Sequence, residues 1–184
     1  MKKLMNGAQM KRIDVYSIQE VGIPSLVLME RAALCVTEAV LEKIKKTDKV
    51  LCVCGSGNNG ADGMAVARQL TERGISAEVY TTAEEGKGTE ELNRQRAILQ
   101  KLGIVFVNDI PAGEYNCIID AVFGIGLSRT ITGRYEQIIA KINAAKDTGS
   151  LIVAVDTPSG INAGDGQVMG LSLIHILTLP TTER

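Results

Sequence analysis

Residues 50–74 read VLCVCGSGNNGADGMAVARQLTERG, and their reading decides the fold. Val50 to Cys54 is a short apolar run with Lys49 before it and Gly55 after it, the pattern of a strand buried on both faces of a parallel sheet. The run enters Gly55-Ser56-Gly57-Asn58-Asn59-Gly60, where three glycines in six residues permit positive φ and close approach of backbone to a ligand. From Ala61 the spacing of Met64, Ala67 and Leu70 predicts a helix, with Gly74 placed to end it. A strand, a glycine turn and a helix N-terminus together favour an anion, because unpaired N–H groups and the helix dipole point the same way. The same letters also describe a plain strand-to-helix turn. GSGNNG satisfies the dinucleotide pattern G-x-G-x-x-G, but the second strand, Ala77 to Tyr80, closes without the acidic residue that would hold a ribose hydroxyl.

Working outward, Gln9 to Glu20 is expected to be helical and polar on one face, with a break at Gly22-Ile23-Pro24. A helix over Ser25–Lys46 carries an apolar stripe of Leu26, Met29, Ala33, Val36, Val40 and Ile44, leaving Glu30, Arg31, Glu38 and Glu42 to solvent. Ala77–Thr81 is a second strand. Glu90–Leu102 is a helix with Leu92, Leu99 and Leu102 inward, Ile104–Val107 a third strand, and Cys117–Ile119 a fourth ending at Asp120. Tyr135–Ala145 is a helix with Ile138, Ile139 and Ile142 inward, and Leu151–Val155 is a fifth strand ending at Asp156. Alternating strands and helices predict an α/β domain with a doubly wound, mostly parallel sheet. In such sheets ligands bind outside the carboxyl ends of the strands. Three strand ends carry unusual chemistry: GSGNNGAD, Asp120 to Gly126, and Asp156-Thr-Pro-Ser159-Gly160.

The 184 residues suit one domain. A net charge of −1 gives no reason to expect nucleic acid or an acidic membrane as partner. No apolar run reaches the length of a membrane span and the first residues hold no apolar signal core, so the expectation is a cytoplasmic protein. Cys35, Cys52, Cys54 and Cys117 read as reduced, small apolar residues. His175 is the only histidine, which argues against Ser-His-Asp chemistry, a histidine metal site and a histidine base.

CGSGNNGADG, DAVFGIGLSR and VDTPSGINAGDG, in this order, resemble the YjeF N-terminal domain family, the NAD(P)H-hydrate epimerases, as does the opening AQMKRIDVYSIQEVGIPSLVLMERAA. The resemblance implies a Rossmann-like three-layer αβα sandwich that interconverts the R and S forms of hydrated NADH and NADPH (NADHX and NADPHX). It implies a partner dehydratase that consumes one epimer, and it makes a homodimer plausible. By motif, Asn58, Asn59, Gly60, Ala61 and Asp62 would bind the nucleotide, as would Gly124, Ile125, Gly126, Leu127, Ser128, Arg129 and Thr130. Asp156 would contact the ligand and is the first choice for acid/base work, since a carboxylate in an apolar crevice can be tuned upward in pKa. Asn59, Asp120 and Ser159 would hold a potassium ion through oxygen atoms. For Arg129 two readings stand, a phosphate contact and a surface charge. The alternative function on the same fold is a non-catalytic nucleotide-binding or protein-interaction module.

Two departures from the family pattern stand out. Ala61 occupies a position that is usually glycine, harmless if it lies in the helix. The domain is expected over residues 1–170 and incomplete at its end, with 171–184 as a tail unlike the family. That tail reads either as foreign sequence on a shortened chain or, from the β character of LSLIHIL, as a divergent edge strand.

Overall fold

The computed structural model describes residues 7–173 and 177–178. His175, and residues 179–184 of the tail considered above, lie outside the described residues. In chain order the elements are α1 (Gly7–Gln19), α2 (Ser25–Leu41), β1 (Lys49–Cys54), α3 (Asn58–Glu72), β2 (Ser76–Thr81) and α4 (Glu90–Lys101). They continue with β3 (Phe106–Val107), β4 (Cys117–Ala121), α5 (Arg134–Asp147), β5 (Leu151–Ala154) and β6 (Leu177–Thr178). The strands form one sheet in the order β3-β2-β1-β4-β5-β6. Every pairing is parallel, so among the described residues the sheet is wholly rather than mostly parallel. β6 falls within the tail and pairs with β5, Val153 opposite Leu177.

Period-two alternation divides the core. Val50, Cys52 and Cys54 of β1 and Cys117, Ile119 and Ala121 of β4 enter the layer filled by α2, α3 and α4. Leu51 and Val53, with Ile118 of β4, enter the layer under α5, where Ile138, Ile139 and Ile142 cover them. Cys52 and Cys54 thus share one face as expected, and all four cysteines are free thiols. Burial pushes the Cys52 and Cys54 thiols well above the ordinary range and the Cys117 thiol up to about 12, so they pack as inert apolar groups. No helix among the described residues is long and apolar enough to cross a membrane.

Several boundaries and faces differ from the sequence reading. α2 ends at Leu41 rather than Lys46: Lys43 N turns to the Val40 carbonyl, a tighter closing bond, although Ile44 still packs on the core. Leu102 is not inward but 56% exposed, because it caps α4 after the last helical turn and the stripe has drifted away from it. Glu30 stays partly exposed, as expected of a residue off the stripe, but it is not merely solvated. Arg68 of α3 pairs with it at 2.5 Å, and Gln69 and Gln95 donate to it at 3.0 and 3.3 Å. Those donors hold its carboxyl below the usual range against the opposing effect of burial.

α3 begins at Asn58, three residues before the expected start, with Gly57 as its N-cap at φ −103°. Gly55, Gly57 and Gly60 do not take positive φ. Two of them are required by space instead. A Cβ on Gly55 would collide with the Val122 carbonyl, and one on Gly60 would lie 2.8–2.9 Å from Gly55 C and N. Ala61 is then the fourth helical residue, fully buried, its N–H bonded to the Gly57 carbonyl at 3.2 Å, so a methyl group there is unstrained.

Candidate functional site

A cleft of about 470 Å³ opens over the carboxyl ends of β1 and β4, where the strand order reverses direction. One wall is the turn into α3: Ser56, Gly57, Asn58, Asn59 and Asp62. The other is the loop after β4, Val122 to Leu127, with Tyr135 of α5 behind it and Asp156 from the end of β5 at the base. Phe123 and Tyr135 set their rings 4.9 Å apart and tilted by 50°, an apolar side to an otherwise polar cavity.

The turn is prepared for an anion. Glycine as N-cap has no side chain to cap the helix, no acidic residue stands in the first turn, and the leading N–H groups of α3 are left for a ligand. Gly57 differs from its two neighbours in the motif: a Cβ there would meet nothing within 4 Å. Protein packing does not require glycine at that point. The open space adjoins the cleft, where a ligand can approach backbone.

Asp156 accepts a hydrogen bond on Oδ2 from Ile125 N at 2.9 Å, and this ties the β5 end to the β4 loop. Among the described residues its second oxygen has no protein donor, so one face of the carboxylate is available to a ligand. Gly124 makes room for it, since a Cβ at that position would stand 2.6 Å from Asp156 Oδ2 and 3.4 Å from Asn59 Oδ1. Asn59 and Asp156 therefore flank the same glycine. The Asn59 Nδ2 is buried without a partner among the described residues, a polar group prepared for something other than protein.

Beneath this surface Asp120 and Ser159 form a buried clasp. The Ser159 hydroxyl donates to Asp120 Oδ1 at 2.6 Å, Ser159 N donates to Oδ2 at 2.8 Å, and Val122 N donates to Oδ1 at 3.2 Å. Phe123 N in turn donates to the Ser159 hydroxyl at 2.9 Å. Burial raises the Asp120 pKa to about 6, although the three donors oppose the shift. The clasp fixes the start of the β4 loop and so the position of Gly124 to Leu127.

Of the sequence-derived residues, Asn58, Asn59, Asp62, Gly124, Ile125, Gly126, Leu127 and Asp156 line the cleft. Gly60 and Ala61 lie buried behind it, and Asp120 and Ser159 are buried below. Ser128, Arg129 and Thr130 are exposed and do not line it. Among the described residues no cluster of three or more His, Cys, Asp or Glu side chains could hold a metal. Asn59, Asp120 and Ser159 offer a different set, all oxygen. Asp120 Oδ2 and the Ser159 hydroxyl each keep one lone pair after their internal bonds, which together with an amide oxygen suits a large cation of low charge.

A family model described as the YjeF-related protein N-terminus matches residues 25–182. The chain belongs to this family. Curated relatives named NAD(P)H-hydrate epimerase are similar to it throughout. The protein from Limosilactobacillus fermentum is 40% identical over 180 residues, covering 97% of this chain and 85% of its own. The one from Oenococcus oeni is 40% identical over 171 residues, covering 92% and 80%. Among solved structures, yeast ynu0 superposes with a TM-score of 0.82 at 23% identity, over 94% of this chain and 77% of that one. That likeness shows the fold.

Within the YjeF N-terminal frame, the motifs did not point to Lys11 and Asp14, which α1 brings to the cleft. α1 has no buried residue, so its sequence carries no core stripe that would have placed it. Asp14 also borders the neighbouring space: with Asn58 and Asp62 it lines a second cavity of about 300 Å³ between α1 and α2. Tyr135 was missed for a related reason, since it opens a helix that was read only for its inward isoleucines.

Proposed function

We propose that this chain epimerises the R and S forms of hydrated NADH and NADPH, the activity named for its curated relatives. One observation carries the reading: an uncapped helix N-terminus and a carboxylate with one free oxygen face each other across a single cleft. The leading N–H groups of α3 take the diphosphate, with Gly57 leaving its backbone open to it. The Phe123–Tyr135 side gives a ring an apolar surface.

The reacting carbon of the hydrate bears a hydroxyl and the ring nitrogen. Inverting it means breaking one of those bonds and remaking it from the other face, with a proton moved at the hydroxyl oxygen and no change of oxidation state. Asp156 is placed for that transfer. Ile125 N holds Oδ2, and the remaining oxygen is left to receive or return the proton. A potassium ion, where bound, would be held by Asn59, Asp120 and Ser159 and would offset phosphate charge. Because epimer exchange alone leaves the hydrate unrepaired, the reading includes a dehydratase that consumes one epimer.

The test is epimer exchange of separated R- or S-NADHX, followed by chromatography in potassium or sodium buffer. Acceleration over buffer that disappears in Asp156→Asn supports the reading. A folded chain that binds the hydrate without accelerating exchange would make it a binding module instead.

A further inference from the structure

Among the described residues, α1 faces α2 across a space that no side chain fills. Met10, Ile13 and Ile18 of α1 and Leu28, Met29 and Ala32 of α2 line this cavity of about 300 Å³. α1 nevertheless buries none of its residues, and Ile13 and Ile18 stay 43% and 38% exposed. Ala32 is buried yet belongs to neither core cluster, because it faces the cavity instead. Protein interiors leave few voids larger than a water molecule. Two apolar helix faces held apart around a space of this size are shaped for a guest.

The cavity continues the cleft. α1 runs along both: a Cβ on Gly7 would lie 3.4 Å from Cβ of the cleft residue Ile125, Lys11 and Asp14 line the cleft, and Asp14 and Ser17 line the cavity. Asn58 and Asp62 of α3 border both spaces as well, and Asn58 is the first residue of that helix. The N–H groups assigned to the diphosphate therefore lie at the junction, with Asp156 on one side and the cavity on the other. A dinucleotide with its hydrated ring at Asp156 and its diphosphate on α3 directs its other half into the space between α1 and α2.

The chemistry of the cavity suits that half. Met10 and Met29 offer polarisable thioethers, which pack well against an aromatic ring. Arg31, exposed at the rim with no hydrogen bond or ion pair among the described residues, can lay its guanidinium plane on a purine face. At the junction with the cleft, the half-buried Asp14 carboxylate has no hydrogen-bond or ion-pair partner among the described residues. A ribose diol needs such an acceptor. Dinucleotide-binding sheets place it after β2, but Glu84 and Glu85, the acids that follow β2 here, line neither space.

We propose that the cavity between α1 and α2 is the adenosine subsite of the nucleotide, the adenine held between the two helices and its ribose hydroxyls donating to Asp14. The proposal rests on the nucleotide reading of the cleft, and its test needs no turnover. The full chain is titrated calorimetrically with adenosine 5′-diphosphate, 2′-deoxyadenosine 5′-diphosphate and inorganic pyrophosphate. Wild type is expected to bind the adenosine diphosphate at least about tenfold tighter than pyrophosphate, and about tenfold tighter than the deoxy compound, the worth of one charge-assisted contact. Ala32→Leu fills the cavity from α2, so it erases the gain over pyrophosphate while leaving pyrophosphate affinity as it was. Ile13→Trp fills it from the exposed face of α1, where folding makes no demand, and has the same effect. Asp14→Ala brings the ratio of adenosine to deoxyadenosine diphosphate to about one. A higher melting temperature in Ala32→Leu with adenosine diphosphate binding unchanged would make the cavity a packing void and overturn the subsite. So would wild-type affinities that do not distinguish adenosine diphosphate from pyrophosphate. Binding of no probe overturns it too, while the epimerase reading is still judged by epimer exchange.

Discussion

Replacing Gly124 by alanine separates the chemistry of the cleft from its architecture. Gly124 has a φ that alanine can adopt, so the backbone itself is not strained. The new methyl carbon would stand 2.6 Å from Asp156 Oδ2, roughly 0.7–1 Å short of a comfortable C···O separation. What has to give is the end of a side chain. The carboxylate swings off Ile125 N and loses a 2.9 Å hydrogen bond, and the Asn59 amide, 3.3–3.4 Å away, shifts by a few tenths of an ångström, about the slack such a contact has. Loss of one half-exposed hydrogen bond costs about 1 kcal/mol, or about 2–4 °C in melting temperature for a chain of this size. A reacting group displaced by ~1 Å costs on the order of 10²-fold in rate. The expected result is therefore a folded protein with a small thermal shift and epimer exchange slowed about a hundredfold. Because Gly124→Ala acts through Asp156, the double variant with Asp156→Asn should be no slower than Asp156→Asn alone. Wild-type exchange in Gly124→Ala, or fully additive losses in the double variant, would refute Asp156 as the proton-transfer group.

Two further substitutions probe the walls of the cleft. Gly60→Ala sets a methyl group against the Gly55 backbone, which has no flexible end to yield, and should cost about 1–3 kcal/mol in chemical denaturation; Gly57→Ala, into open space, should cost no more than about 1 kcal/mol, the poorer N-capping of alanine, and weaken nucleotide binding in calorimetry. Among the described residues Lys11 is the one cationic side chain that lines the cleft, and it is exposed, so Lys11→Ala should raise KM about three- to tenfold with kcat retained. A fall in kcat with KM unchanged would place Lys11 in the chemistry instead of in binding.

What was legible in the sequence, and what was not, follows from how each residue reaches its place. The parallel sheet could be read because its strands are buried on both faces, so runs such as Val50–Cys54 and Leu151–Val155 are apolar without interruption. Asp120 and Asp156 could be read because a polar residue ending such a run has few reasons to be there, and parallel pairing brings those ends to one edge. The start of α3 was misjudged because Gly and Asn suggest left-handed backbone, whereas here the glycines answer a steric demand set by Val122 and Gly55, contacts that no local pattern displays. Glu30 was read as solvated for the same kind of reason: Arg68 lies 38 residues away. The remaining contributors to the cleft, Lys11, Asp14 and Tyr135, all sit on helices. Strand ends are registered by hydrogen bonds, but a helix is rotated and placed by what it packs against. A helical side chain can therefore be assigned to a site only once the tertiary packing is known. In α1, which buries nothing, even the core stripe that would have fixed the rotation is absent.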